Sequence, residues 1–229
     1  MIHSEIVQFL SEIDTNIFLS FNGIHSPFWD YFMSSFTGKI IGVPMYATLL
    51  YILLRNFHWK VVVCYVAAIA LTITFADQMC SSIIRPVVAR LRPANPDNPI
   101  VDMVYIVNGY RGGSYGFPSC HAANSLGLAM FVVFLFRKRW LSIFIVTWAI
   151  LNCYTRIYLG VHYPGDLLVG GIIGGFGGWL FCTIAHKIAI YLEPSTRTKR
   201  KDIKQWPVTI YVGLLTVLGI IIYSITKSW

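Results

Sequence analysis

Three short stretches hold most of the side chains of this chain that could carry chemistry. The first is Arg85-Pro-Val-Val-Ala-Arg-Leu-Arg92-Pro93. The second is Gly116-Phe-Pro118-Ser119-Cys120-His121, and the third runs from Thr155-Arg156 through His162 to Asp166. Arginine presents a planar fork of donors that matches phosphate oxygens. Ser119 and the backbone N–H groups after Pro118 open a helix, and helix N-termini attract anions. His162 and Asp166 lie four apart, a spacing at which a carboxylate can hold an imidazole in one tautomer and stabilise its charged form. Two histidines (His121, His162), three arginines (Arg85, Arg92, Arg156) and Asp166 thus supply nucleophile, acid, orienting group and charge clamp. Those are the parts of a phosphoryl-transfer site. Each has a blander reading alone: arginines snorkel, single histidines are mostly structural, and an aspartate suits the first turn of a helix. Placing all of them on one membrane face weighs against that, because polar groups beside lipid are unfavourable unless paired or functional.

The elements that position these residues follow from composition. Of 229 residues, 56% are hydrophobic and 12% are charged, against roughly 25% charged in an average soluble domain. That excludes a water-soluble globule and a disordered chain. Six stretches approach the ~20 apolar residues needed to cross a bilayer: 36–54, interrupted by Lys39 and Pro44, then 61–84, 121–136, 140–158, 167–185 and 208–225. None alternates with the period of two that a membrane barrel requires. The expected fold is all-α, a single domain over 1–229, built as an integral membrane bundle of six transmembrane helices. Residues 4–33 form an N-terminal amphipathic segment lying in the interface. Its apolar positions are Ile6, Phe9, Leu10, Ile13, Ile17 and Phe21, with Glu5, Glu12 and Asp14 between them. Ser26-Pro27 ends that helix, and Phe28, Trp29 and Tyr31 resemble an interfacial aromatic belt. The N-terminus lacks the pattern of a cleaved signal peptide. The glycines at 170, 174 and 178 recur at the four-residue spacing that lets helices approach closely. The five cysteines read as free thiols. The 193–206 stretch is a basic loop suited to anionic lipid, and Arg90 and Arg111 read as phosphate-side or rim charges.

With six spans, all three motifs share one face. That face carries seven of the 18 lysines and arginines and the opposite face eleven. The richer face is expected in the cytoplasm, so the motifs face outward. The net charge of +8 then reports topology and contact with the bilayer, and no nucleic-acid partner is expected.

The ordered motifs resemble those of the type-2 phosphatidic acid phosphatase family, K-x6-R-P, P-S-G-H and S-R-x5-H-x3-D. Here they read Arg85-x6-Arg92-Pro93, Pro118-Ser119-Cys120-His121 and Thr155-Arg156-x5-His162-x3-Asp166, so Arg85, Cys120 and Thr155 depart from the pattern. The resemblance covers 85–166, and the six-span layout extends it over nearly the whole chain. It implies that His162 attacks phosphorus to form a phosphohistidine, that Asp166 orients it and that His121 protonates the leaving oxygen. Arg85, Arg92, Arg156, Ser119 and the amide of Cys120 would hold the phosphate. No metal or other cofactor is implied. A cysteine nucleophile is disfavoured, because the C-x5-R pattern places Leu126 where the arginine belongs. The implied enzyme is a bacterial inner-membrane lipid phosphatase with its site facing the periplasm or exterior. Undecaprenyl pyrophosphate is the favoured substrate. A lipid A 1- or 4′-phosphatase is the main alternative, with phosphatidylglycerol phosphate and phosphatidic acid behind it. A small transporter or an inactive scaffold are the readings from other classes.

Overall fold

The computed structural model describes residues 2–38, 40–199 and 202–229. Lys39, Arg200 and Lys201, which entered the charge count, lie outside the described residues. The helices are α1 (Ile2–Asn22), α2 (Pro27–Phe36), α3 (Val43–Asn56), α4 (Trp59–Gln78), α5 (Arg85–Val88), α6 (Cys120–Phe136), α7 (Arg139–Tyr158), α8 (Pro164–Leu192), α9 (Thr196–Lys199) and α10 (Pro207–Ser228). A π-helical segment, Met79–Ile84, joins α4 to α5. Among the described residues the only strand-like feature is a single bridge between Leu91 and Tyr115. The all-α expectation holds.

Among the described residues, four helical runs are long and apolar enough to cross a membrane: Trp59–Val88, Arg139–Tyr158, Pro164–Leu192 and Pro207–Ser228. Cys120–Phe136 is apolar but shorter. The first candidate, 36–54, differs from expectation. The chain breaks between Phe36 and Val43, so the 36–54 stretch is divided between the end of α2 and the 14-residue α3. Both helices pack against α10. Ser26-Pro27 does more than end the first helix: Ser26 Oγ accepts from Trp29 N, and Pro27 sits in the first turn of α2, where its missing N–H is not needed. Phe32, Met33 and Phe36 of α2 are buried, and Phe36 lies 4.6 Å from the Trp148 ring of α7. Residues 28–33 therefore belong to the packed bundle, and the amphipathic helix α1 ends at Asn22.

α1 keeps the predicted apolar face outward: Ile6, Phe9, Leu10, Ile13, Ile17 and Phe21 are all exposed to the exterior of the bundle. Its inward stripe is Asp14, Phe18 and Asn22, at i, i+4 and i+8 on one side of the helix. Phe18 and Asn22 are buried.

At the centre, α6 packs most extensively on α8. The glycine spacing in α8 explains how. A methyl at Gly170 would come 2.3 Å from the Ser119 carbonyl oxygen, and one at Gly174 would come 1.8 Å from that of Ala123. No side chain fits there, so the two backbones touch directly. This contact holds the start of α6 against the first turns of α8.

Candidate active site

Four chain segments deliver the motif residues to the same end of the bundle. The first is the π segment. The Arg85 N–H reaches back five residues to the Cys80 carbonyl, and a π turn of this kind re-aims the side chains that follow it. Arg85 Nη2 donates to the Pro118 carbonyl at 2.8 Å and to Cys120 Sγ at 3.0 Å. The cysteine that replaces the family glycine is thus an acceptor for the arginine that replaces the family lysine.

The second is the start of α6. Ser119 is its N-cap: Oγ accepts from Ala122 N at 3.3 Å. Its own N–H donates to the Asp166 carbonyl at 2.9 Å, an approach that the absent side chain at Gly170 permits. Ser119 is fully buried, so its placement serves capping and docking, with one hydroxyl hydrogen left to donate. The amides of Cys120 and His121 have no carbonyl one turn back within their own helix.

The third is the end of α7 with the turn that follows. Arg156 Nη1 donates to Thr37 Oγ1 at 3.0 Å. His162 lies in the loop before α8, in place through Val161 N–H donating to the Arg156 carbonyl at 3.0 Å. The fourth is the first turn of α8. Asp166 Oδ2 accepts from His162 Nδ1 at 3.2 Å and from Tyr163 N at 3.1 Å. One carboxylate oxygen therefore both closes the first turn of α8 and holds the His162 ring.

The tautomer of His162 follows from its partners. Arg92 Nη1 lies 3.0 Å from His162 Nε2. A guanidinium only donates, so Nε2 must accept and the proton sits on Nδ1, facing Asp166. Burial, then the charges of Arg92, Arg156 and Arg85, hold the imidazole well below its ordinary pKa. The ring is neutral with a lone pair on Nε2. Arg92 is itself lowered to about 10 by burial and by the neighbouring Arg85 and Arg156 charges. Its Nε and Nη1 donate to the carbonyls of Tyr115 (3.1 Å) and Val161 (3.2 Å).

Among the described residues, none of Arg85, Arg92 and Arg156 forms an ion pair. The Nε atoms of Arg85 and Arg156 are buried without a hydrogen-bond partner. Three cations held together with unsatisfied donors are unfavourable unless an anion completes them. Among the described residues no three His, Cys, Asp or Glu side chains cluster as metal ligands would.

His121 Nε2 lies 2.9 Å from Asn152 Oδ1 and 3.2 Å from Thr37 Oγ1, and Asn152 Nδ2 donates to Ser125 Oγ at 3.2 Å. Asn152 and Thr37 were not singled out from the sequence. Asn152 stands one turn before Arg156 inside an apolar span, a polar placement that signals function. Gly116 packs against the His162–Asp166 pair: a methyl there would meet Asp166 Oδ2 at 2.8 Å, Arg92 Cγ at 3.2 Å and His162 Nδ1 at 3.4 Å. Arg90 is not a phosphate-side charge. Its Nη1 pairs with Asp14 Oδ2 at 2.6 Å and Asp166 Oδ1 at 3.2 Å. Arg111 Nη1 donates to the Ala94 carbonyl at 2.7 Å, which ties it to the loop after the first motif.

Comparison with known proteins agrees with this geometry. A model of the PAP2 superfamily matches residues 59–190. The chain is 70% identical over 225 residues, 97% of its length and 100% of the relative's, to a Bacteroides thetaiotaomicron protein named lipid A 4′-phosphatase. It is 34% identical over 206 residues, 83% of its length and 86% of the relative's, to a Porphyromonas gingivalis protein of the same name. A crystal structure of Aquifex aeolicus LpxE shares the fold with a TM-score of 0.56 at 24% identity, covering 74% of this chain and 94% of that one. The two relatives' names give no support to undecaprenyl pyrophosphate as the favoured substrate; they favour the lipid A alternative. With the motifs gathered at one end of a helical membrane bundle, the family match over most of that bundle is decisive: the chain belongs to the PAP2 superfamily, whose members of this kind are membrane enzymes that hydrolyse lipid phosphates.

Proposed function

We propose that this protein removes the 4′-phosphate of lipid A through a phosphohistidine, with its site on the outer face of the bacterial inner membrane. The observation that carries the reading is the neutral His162, its Nε2 lone pair beside Arg92 and its Nδ1 proton on Asp166. Around it stand three arginines that pair with no carboxylate among the described residues. The 70% identity to a lipid A 4′-phosphatase over nearly the whole chain supports this choice of lipid.

In the first step His162 Nε2 attacks phosphorus and the bond from phosphorus to the sugar oxygen breaks. The electron pair goes to that oxygen, which takes the Nδ1 proton of His121 in its imidazolium form and leaves that ring neutral. Asn152 and Thr37 engage Nε2 of His121, which leaves Nδ1 as the atom for the substrate. His162 keeps its Nδ1 proton, which it donates to Asp166, and the carboxylate balances the charge that grows on the ring. Arg85, Arg92, Arg156 and the Cys120 amide bind the phosphoryl oxygens where negative charge is spread in the transition state. In the second step water gives its proton to His121 and attacks phosphorus. The phosphorus–nitrogen bond breaks, its pair returns to Nε2, and inorganic phosphate leaves.

The outward orientation is supported by the charge asymmetry. Arg92 and Arg156 on the poorer face are buried in the site, so fewer free cations remain there to oppose translocation.

The test is incubation of the purified protein with bis-phosphorylated lipid A, with the products resolved by mass spectrometry. Loss of the phosphate on the non-reducing sugar is the expected result. Loss of the 1-phosphate alone would assign the other position, and no phosphate release would reject the reading.

A further inference from the structure

The family match begins at residue 59, yet the nucleophile turn rests on a helix that ends at Asn22. Each residue of the inward stripe of α1 touches the segment that carries His162. Asn22 Nδ2 donates to the carbonyls of Ile157 (3.1 Å) and Tyr158 (3.0 Å). Asn22 also holds Tyr105 through both its backbone groups, with Oδ1 accepting from Tyr105 N at 2.7 Å. One turn earlier, the Phe18 ring meets that of Tyr163 edge-on at 5.4 Å. One turn earlier again, Asp14 Oδ1 accepts from Gly165 N at 2.7 Å and so caps the first turn of α8. The other oxygen of Asp14 takes Arg90 at 2.6 Å. The Arg90 guanidinium lies 3.8 Å over the Tyr163 ring and reaches Asp166 Oδ1 at 3.2 Å.

A continuous chain therefore runs from α1 to the reacting atom: Asp14, Arg90, Asp166, His162. Asp166 uses one oxygen for His162 and the other for Arg90, so the angle of its carboxylate is set from both sides. The side chains of Asp166, Asp14 and Arg90 are 0%, 14% and 22% exposed, which shields the pairs from much of the screening that weakens surface ion pairs. Gly165 leaves room for this contact, since a methyl there would meet Asp14 Oδ2 at 2.7 Å.

We infer that Asp14 and Arg90 are positioning residues for His162, and that the N-terminal helix is part of the catalytic apparatus as well as a membrane-interface element. Neither side chain needs to touch the substrate. They fix the Asp166 carboxylate, which in turn aims the imidazole. Their loss should therefore slow formation of the phosphoenzyme without weakening lipid binding.

This inference rests on His162 as nucleophile, and the experiment separates the two. Full-length wild type, Asp14→Asn, Asp14→Glu, Arg90→Gln, the Asp14→Asn/Arg90→Gln double variant and His162→Ala are purified in detergent. Each is assayed with lipid A for kcat and KM, and by rapid quench for phosphohistidine. Asp14→Asn should lower kcat by about tenfold or more, with KM within about twofold of wild type. Asp14→Glu should recover most of that loss. Because the pair acts in series, the double variant should be no slower than the slower single variant. If Asp14→Asn does not purify folded, Arg90→Lys replaces it: an ammonium keeps the charge but lacks the fork that spans two carboxylates, and kcat should fall with KM unchanged. A kcat within twofold of wild type for the folded variant, a loss confined to KM, or multiplicative losses in the double variant would each overturn the inference. His162→Ala at wild-type rate would instead overturn the phosphohistidine reading beneath it.

Discussion

Replacing Gly116 by alanine should slow catalysis through a clash of less than one ångström. The new methyl would lie 2.8 Å from Asp166 Oδ2 and 3.4 Å from His162 Nδ1, where ordinary contacts begin at 3.4 Å. About 0.6 Å must be yielded, and the carboxylate is the group that blocks. Oδ2 is already committed to Tyr163 N at 3.1 Å and His162 Nδ1 at 3.2 Å. A shift of that size takes the bond to the imidazole out of hydrogen-bond range. A hydrogen bond to a charged group is worth about 1.5–3 kcal/mol, which corresponds to about a 10- to 150-fold fall in kcat if the whole of it acts in the transition state. KM should change less than kcat, because among the arginines only Arg92 meets the methyl, at Cγ and 3.2 Å, and needs to give by only about 0.2 Å. Gly113→Ala is the internal control, since a methyl there meets nothing within 4 Å. Steady-state kinetics on lipid A in detergent, with melting temperatures of both variants, reads the result. Gly116→Ala at more than half the wild-type kcat, or Gly113→Ala impaired to the same degree, would refute the reasoning.

Other expected outcomes concern the reacting groups. His162→Ala should abolish turnover and acid-labile phosphoenzyme, and retention of either would displace it as nucleophile. Arg92 is one of the charges that hold His162 well below its ordinary pKa, so Arg92→Gln should lower kcat/KM and also move its acid limb to higher pH; an unmoved limb in a pH–rate profile would contradict that electrostatic role. Cys120→Gly removes one acceptor of Arg85 but leaves the Pro118 carbonyl, and activity within about tenfold of wild type is expected; a folded but dead variant would make the thiol essential. A single-cysteine reporter in the 94–110 loop should react with an impermeant thiol reagent from outside spheroplasts, and one at Thr198 should not. The reverse pattern would invert the topology.

The chemistry of the site was legible because its residues are polar exceptions in an apolar chain and keep fixed spacing within three local motifs. His162 and Asp166 are four apart, and their pairing needs only one turn of chain. What was not legible depends on distant partners. Arg90 read as a rim charge because its nearest carboxylate, Asp14, is 76 residues away. Asn152 lay hidden in α7 because an asparagine inside a span says that it has a partner, not which one. The first span was misjudged for a different reason. Apolar content marks 36–54 as one stretch, but α2 is capped at Thr37 and Pro44 sits in the first turn of α3, so the stretch is divided between two shorter helices. Caps and prolines override average hydropathy there.

The backbone contact between α6 and α8 has a consequence for how the enzyme meets membranes of different thickness. α6 has 17 residues and α8 has 29, about 26 Å and 44 Å of helix at 1.5 Å per residue. One is shorter than the ~30 Å hydrocarbon layer and the other longer, so each alone would answer a change in thickness differently, one by drawing lipid in and the other by leaning over. Joined at Gly170 and Gly174 without side chains between them, they cannot slide past each other to relieve that conflict. The pair must tilt as one body, and the remaining mismatch falls on lipid around α6 and on helices farther from the site. The distance from the α6 N-terminus to His162 is thereby insulated from the bilayer, while the height of the whole site above the lipid phosphates is not. Changes in acyl-chain length should be felt as access to substrate rather than as distortion of the reacting groups.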